Sequence, residues 1–193
     1  MPNCTHPAKQ QGFTMVEVMF VVAVSIILVG IGAPSFANLL KQNRVVGAVN
    51  DTIAGFQLAR SEAAKRGLPV RLCPTTAAAN ADNASARCSG SEWADGVIAF
   101  VDANGDGSRS GADEELVYTR AALTEDIFVN ASNAISTGIT FGADGFPATL
   151  INASQLVFCD ESGDQKRRRV VSVSATGRPV TGRTITIEGG LEC

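Results

Sequence analysis

Two stretches of this sequence place charged or metal-ligating residues at spacings that chemistry can use. The first is Asp102-Ala103-Asn104-Gly105-Asp106-Gly107, which matches the opening of a calcium loop, D-x-N-x-D-G. Oxygen-bearing side chains at alternate positions of a tight turn converge on one point, as a hard cation requires. Ser108 and Ser110 would add a backbone carbonyl and a water-bridged contact. Asp113 stands at the twelfth position, where a bidentate Glu is usual, with Glu114 next to it. The calcium ligands would then be Asp102, Asn104, Asp106 and Asp113. Asn-Gly and Asp-Gly are also favoured hairpin-turn residues on steric grounds alone, so a plain turn between two strands competes with the cation site.

The second stretch is basic. Residues 165–187 hold Lys166, Arg167, Arg168, Arg169, Arg178 and Arg183 and no acid, whereas residues 82–126 hold ten acids against three Arg. The overall net charge of −3 conceals this asymmetry and excludes a histone-like basic coat. A local basic patch is the footprint of a phosphate-backbone binder, which makes DNA a candidate partner. A solvated charge run at a strand entrance, or contact with the acidic face of a neighbouring subunit, accounts for the same residues. Few aromatic residues interleave with these cations, which disfavours base stacking.

Catalytic chemistry has little to work with. The single His is His6, so a His-based triad or metal site has no other source of imidazole. There is no Gly-x-Ser-x-Gly elbow, phosphate-cradling loop or dinucleotide fingerprint. No enzyme is expected, and no cofactor other than the calcium of the alternative reading. Five Cys are present: Cys4, Cys73, Cys88, Cys159 and Cys193. No C-x-x-C occurs among them, which argues against zinc, and the last four allow three disulfide connectivities.

The elements that must hold these residues are legible from hydropathy. The chain has 193 residues, 45% of them hydrophobic, enough for one or two domains with a packed core. The apolar residues are concentrated near the start. Residues 18–40 carry no formal charge, and VMFVVAVSIILVGIGA spans 18–33, enough to cross a bilayer as a helix. Glu17 stands at the apolar edge, where an unpaired carboxylate is costly, and Pro34 should kink or locally melt the helix. From Lys41 the pattern turns amphipathic, with Val45, Val49, Ile53, Phe56, Ala59 and Ala63 on one face. Arg66-Gly67-Leu68-Pro69 is a strong stop. One helix from about residue 14 to 66 would be roughly 80 Å long. Beyond it, short runs rich in Val, Ile, Thr and Phe predict strands at 70–73, 97–102, 115–119, 127–130, 138–141, 156–159, 169–175 and 184–188, folded as antiparallel sheets. Residues 74–92 are polar and predict a long exposed loop.

The stretch GFTMVEVMFVVAVSIILVGIGAP, residues 12–34, resembles the class III signal of type IV prepilins and type II secretion pseudopilins. That resemblance implies a prepilin peptidase cut between Gly12 and Phe13 and N-methylation of Phe13. It also gives Glu17 and Pro34 the family's assembly roles. A free amine at Phe13 would be neutralised by Glu17 of a neighbouring subunit, a pairing that sets axial register more than stability. ARSEAAKRGLPVRLCP, residues 59–74, and W-x-x-G-x-x-x-F-x-D from Trp93 to Asp102 are similar to the FimT/FimU/GspH group of minor pilins and pseudopilins.

The resemblance implies an α+β fold: a long N-terminal membrane-spanning helix packed on an antiparallel β-sandwich pilin head. Its parts would be a leader at 1–12, a transmembrane and filament-core helix at 13–40, the amphipathic half of that helix at 41–66, and a periplasmic head at 67–193. Cys73–Cys88 would close the polar loop. Cys159–Cys193 would staple the C-terminus, resembling the C-terminal disulfide loop of many pilins. Implied partners are other pilins in a filament, the prepilin peptidase and the inner membrane. The implied function is a minor pilin that primes assembly or sits near the tip, with a type II secretion pseudopilin as the alternative. Some FimT-like pilins bind DNA through a C-terminal G-R-x-R motif. Here Gly177 and Arg178 match, Val180 replaces the second Arg, and Arg183 is the nearest substitute.

Overall fold

A computed structural model describes residues 12–76, 86–90, 92–109, 114–149, 154–183 and Cys193. The chain divides into two compact units, Met1–Leu40 and Lys41–Cys193. Helix α1, Met15–Arg66, contributes to both.

In the first unit every side chain described between 15 and 40 is exposed. This part of α1 is apolar around its whole circumference, the pattern of a helix whose solvent is lipid or other helices. By length and composition it is able to cross a membrane. The helix runs unbroken through Pro34, so no melted turn occurs there. Proline removes one backbone donor, and the adjoining turn keeps its other bonds; Ser35 Oγ also donates to Ile31 O at 3.4 Å.

In the second unit α1 becomes one-sided. Val45, Ala48, Val49, Thr52, Phe56, Ala59 and Ala63 are buried at spacings of three and four. Thr52 is buried because its hydroxyl donates to Ala48 O at 2.8 Å; Ile53 packs at the edge of the core. The helix ends as Arg66-Gly67-Leu68-Pro69 requires. Gly67 takes φ +65° and donates its N–H to Ala63 O at 2.9 Å, and Pro69 cannot continue the ladder.

Eight strands follow: β1 Val70–Pro74, β2 Val97–Val101, β3 Leu116–Arg120, β4 Ile127–Ala131, β5 Ile139–Phe141, β6 Ser154–Asp160, β7 Arg169–Val173 and β8 Pro179–Gly182. They form two four-stranded sheets, ordered β3-β2-β1-β5 and β4-β6-β7-β8, with every pairing antiparallel. Val70, Leu72, Ala99, Val101, Ile139 and Phe141 from the first sheet share one core with Leu156, Phe158, Val171 and Val173 from the second and with the buried face of α1. At its centre Phe56 stacks on Trp93 with ring centroids 5.8 Å apart and meets Phe141 edge-on at 6.5 Å. The Trp93 indole donates to Ile135 O at 3.0 Å, and the Arg120 guanidinium donates to Trp93 O, so both polar groups of the Trp93 residue at this cluster have partners.

Both β2 and β6 are buried along their full length, because each sheet is covered on its outer face as well. Cys73, Ala86, Ile98 and Phe100 form a second cluster with Cys88 and Leu116; Val157, Cys159 and Val170 form a third. Each outer cluster contains a disulfide, Cys73–Cys88 across 15 residues in one and Cys159–Cys193 across 34 in the other.

Two sequence expectations need correction here. The stretch 74–92 is not uniformly an exposed loop: Pro74 ends β1, and Thr75 and Ala86 are fully buried beneath the first disulfide. Strand β8 was not expected, since Pro-Val-Thr-Gly has weak strand composition. Pro179 stands at its first position, where the missing N–H costs least. The turn before β8 carries the signal instead. Gly177 has φ +75°, and a Cβ there would lie 3.0 Å from Phe141 Cε1. The expected strand 184–188 and the leader residues 1–11 lie outside the described residues.

Candidate functional site

Gly12, Phe13 and Thr14 precede α1 without regular structure, and Phe13 is 83% exposed. Thr14 caps the helix: its Oγ1 accepts the Glu17 N–H at 3.2 Å. Thr14-Met15-Val16-Glu17 is thus a capping-box sequence, with Glu17 at the third helical position. Phe13 occupies the position before the cap and Val18 the fourth of the helix, the two positions of a hydrophobic staple. Phe13, Glu17, Val18, Val21 and Val22 line one shallow apolar hollow. The T-x-x-E signal was available in the sequence; attention to the carboxylate's charge hid its local role. Glu17 also lies in the first turn, where the helix dipole favours an anion.

The acidic loop joins β2 to β3, so it is a hairpin connection. Asp102 accepts the Gly107 N–H on Oδ2 at 3.0 Å. Asn104 Oδ1 accepts the Asp106 N–H at 2.9 Å, and Asp106 Oδ1 accepts the Ser108 N–H at 2.7 Å. Gly105 and Gly107 take φ +74° and +75°, which only Gly adopts freely. One carboxylate oxygen each from Asp102, Asp106 and Glu114 lies within 4.8 Å of the others. Asn104 instead donates its side-chain N–H to Asp106 Oδ2 at 2.9 Å. Asp113 and Ser110 lie outside the described residues, and the buried Glu114 is the acid brought to the cluster.

The basic residues do not form one patch of free cations. Arg167 is half-buried and pairs with Asp160 at 3.2 Å and Asp164 at 3.3 Å. The Lys166 backbone N–H, then Arg167, hold the Asp164 carboxyl below its ordinary range. Arg168 donates to Gln165, and Arg169 donates to the carbonyls of Arg167 and Arg168. Burial, then the like charge of Arg183, pull the Arg169 guanidinium below its usual range. Lys166, Arg178 and Arg183 are exposed.

Arg178 and Arg183 flank opposite ends of β8, about 17 Å apart along an extended chain. Arg183 lies beside Arg169, since Val170 pairs with Gly182 and the Arg183 charge is felt at Arg169. Arg178 instead borders a groove with Gln57, Arg60, Ser61, Asp144 and Gly145.

Residues 48–177 match the family described as type II transport protein GspH, and residues 7–33 match the prokaryotic N-terminal methylation motif. The first match spans more than half of the chain, so this protein belongs to the GspH family. It is a type IV or type II minor pilin or pseudopilin with a prepilin methylation motif, a structural subunit rather than an enzyme. Its apolar N-terminal helix and that motif are the features of a membrane-anchored prepilin. Among solved structures, the type IV minor pilin FimU of Pseudomonas aeruginosa PAO1 is similar in fold. It shows 20% identity and a TM-score of 0.55, over 75% of this chain and 92% of that one. A second crystal form of FimU aligns at 22% identity and a TM-score of 0.48, over 70% and 90%. No curated protein matches in sequence.

Proposed function

We propose that prepilin peptidase cuts this chain between Gly12 and Phe13 and N-methylates Phe13, and that the product is a minor subunit of a type IV pilus. Before assembly it is a single-pass inner-membrane protein with a periplasmic head. Afterwards residues 13–40 lie in the filament core, and the subunit primes assembly or sits near the tip. The observation that carries this reading is the exposed apolar start of α1, directly after a methylation motif and ahead of a disulfide-bonded head. Mass spectrometry of the membrane-extracted chain tests it. Methylated Phe13 at the N-terminus is expected, and an unprocessed Met1 start in cells with active peptidase would sink it.

The Glu17 carboxylate is then proposed to meet the Phe13 amine of a neighbour, while its backbone N–H is held by the Thr14 cap. Glu17→Ala is expected to leave cleavage intact and reduce filament incorporation, read by immunoblot of sheared filaments against membranes. Pro34 is proposed to shape the same packing region.

A second reading is the pseudopilus of a type II secretion system, favoured by the GspH match over residues 48–177. Deleting the gene and assaying twitching against protein secretion separates the two. DNA contact through the exposed Lys166, Arg178 and Arg183 is a third proposal, supported by their exposure and by Arg183 lying next to Arg169. A salt-series titration with Arg178→Ala and Arg183→Ala tests it, since phosphate binding must weaken linearly with log salt.

A further inference from the structure

We propose that Asp102, Asp106 and Glu114 form a binding site for one divalent cation of calcium's size, at the β2–β3 turn of the head. Asp102 is 1% exposed, one of the most deeply buried carboxylates described. Its Oδ2 accepts the Gly107 N–H, but its Oδ1 is buried and has no hydrogen-bond partner. A buried carboxylate oxygen with an empty acceptor site is costly, and a cation is the partner that removes the cost. That oxygen belongs to a carboxylate already clustered with two others. One oxygen each from Asp102, Asp106 and Glu114 falls within 4.8 Å of the rest. Calcium binds oxygens at about 2.3–2.6 Å, so two ligands on opposite sides of one ion stand up to about 5.2 Å apart. Magnesium demands near-ideal octahedral geometry and keeps several of its own waters, which three carboxylates on one turn suit less well than calcium's flexible shell.

The surroundings are compatible with this assignment. Arg109 donates to the backbone carbonyls of Glu114 at 2.7 Å and Ala86 at 3.1 Å. Arg71 donates to Thr140 Oγ1 at 3.1 Å and Thr137 O at 3.0 Å. Arg109 thus holds the loop backbone at Glu114, while the Arg71 guanidinium beside Gly107 is engaged by Thr137 and Thr140. Asp106 is exposed, which leaves room for water to complete the coordination shell. Because Arg109 ties this loop to the segment under the Cys73–Cys88 bridge, an occupied site would brace one outer face of the first sheet.

The test uses the full chain in detergent micelles, stripped with a chelator and dialysed to equilibrium against radioactive calcium. One calcium per chain is expected, with Kd on the order of 10⁻⁴–10⁻³ M, the range of extracellular modules. Asp106→Asn, at an exposed position that leaves the core untouched, is expected to weaken binding at least about tenfold, the effect of losing one charged ligand. Asp102→Asn and Glu114→Gln should do the same, whereas Asp144→Asn, in a separate turn, should change nothing. Magnesium at equal concentration should displace little of the calcium. Absence of saturable binding in millimolar calcium overturns the assignment. So does unchanged binding in Asp106→Asn, or magnesium binding as tightly as calcium.

Discussion

The two parts of α1 share one backbone geometry and differ in everything else. Residues 15–40 expose Val, Ile, Leu, Met and Phe on every side, whereas residues 41–66 bury one apolar stripe and leave a mostly polar remainder exposed. Gly30 and Gly32 in the first part have nothing within 4 Å of where a Cβ would be; at Gly55 in the second, that atom would lie 2.8 Å from Tyr118 Cε1. The second part is also anchored by polar contacts. Lys41 pairs with Glu161, and Arg44 with Asp126. Tyr118 Oη donates to Asp51 O at 2.9 Å and Arg60 Nε to Gly145 O at 3.1 Å. A helix fully committed within its own head needs side-chain specificity at each contact. A helix committed to lipid or to other helices needs only apolar bulk until its partners arrive.

The largest effect that would test this contrast is at Phe56. Phe56→Ala removes the ring between Trp93 and Phe141 and should cost about 3–5 kcal/mol of head stability, read by denaturant unfolding. Its counterpart, Ile27→Asp, should leave that unfolding curve unchanged. It should instead release the chain from membranes, because a carboxylate at mid-span costs about 3 kcal/mol of insertion free energy. Equal effects of both variants on head stability would erase the distinction.

The disulfides come next. Replacing Cys159 and Cys193 by Ser should cost about 4 kcal/mol, and replacing Cys73 and Cys88 about 3 kcal/mol, from the lengths of the loops they close. Neither pair should alter membrane association. At a smaller scale, Gly55→Ala should lose about 1 kcal/mol net, as the clash with Tyr118 outweighs the gain in helix propensity. Gly30→Ala should not destabilise the head at all, and a thermal melt of each variant reads the difference.

The smallest effect concerns charge at the end of α1. The Arg66 side chain bonds to Glu62 and Glu115 and holds both carboxyls below their ordinary value of 4.5. A carboxyl lowered by folding contributes stability above its unfolded pKa and loses it as pH falls through the folded value. Arg66→Ala should therefore weaken the head slightly at neutral pH and flatten its loss of stability below about pH 4.5. The Arg66–Glu115 pair lies at the surface, with Glu62 more sheltered, so high salt should mimic part of the substitution.

Legibility of the sequence followed the range of the interaction. The apolar start, the amphipathic stripe, the Gly67–Pro69 stop and seven of the eight strands are patterns over a few consecutive residues, and each was visible. Strand β8 was missed because its signal lies in the turn at Gly177 and in its pairing with β7, not in its own composition. The capping role of Thr14 and Glu17 was local and readable. The acidic loop was half legible. Asp102 and Asp106 fit a motif by spacing and Asp113 lies outside the described residues, but no spacing rule announced that the buried Glu114 joins the cluster. The basic region was legible only as charge. A one-dimensional charge count cannot show that Asp160 and Asp164 occupy Arg167, or that a strand separates Arg178 from Arg183.

By itself the sequence determined which segments are helix and strand, which stretch suits a membrane, and which motif precedes it, because these depend on periodicity and on neighbours along the chain. The tertiary structure alone decided that β1 pairs with both β2 and β5. It also joined Phe56, Trp93 and Phe141 in one cluster, and left Asp102 buried with an oxygen unpaired beside two other acids. Those outcomes depend on contacts between residues tens of positions apart, where only the packing of a shared core selects one arrangement from many.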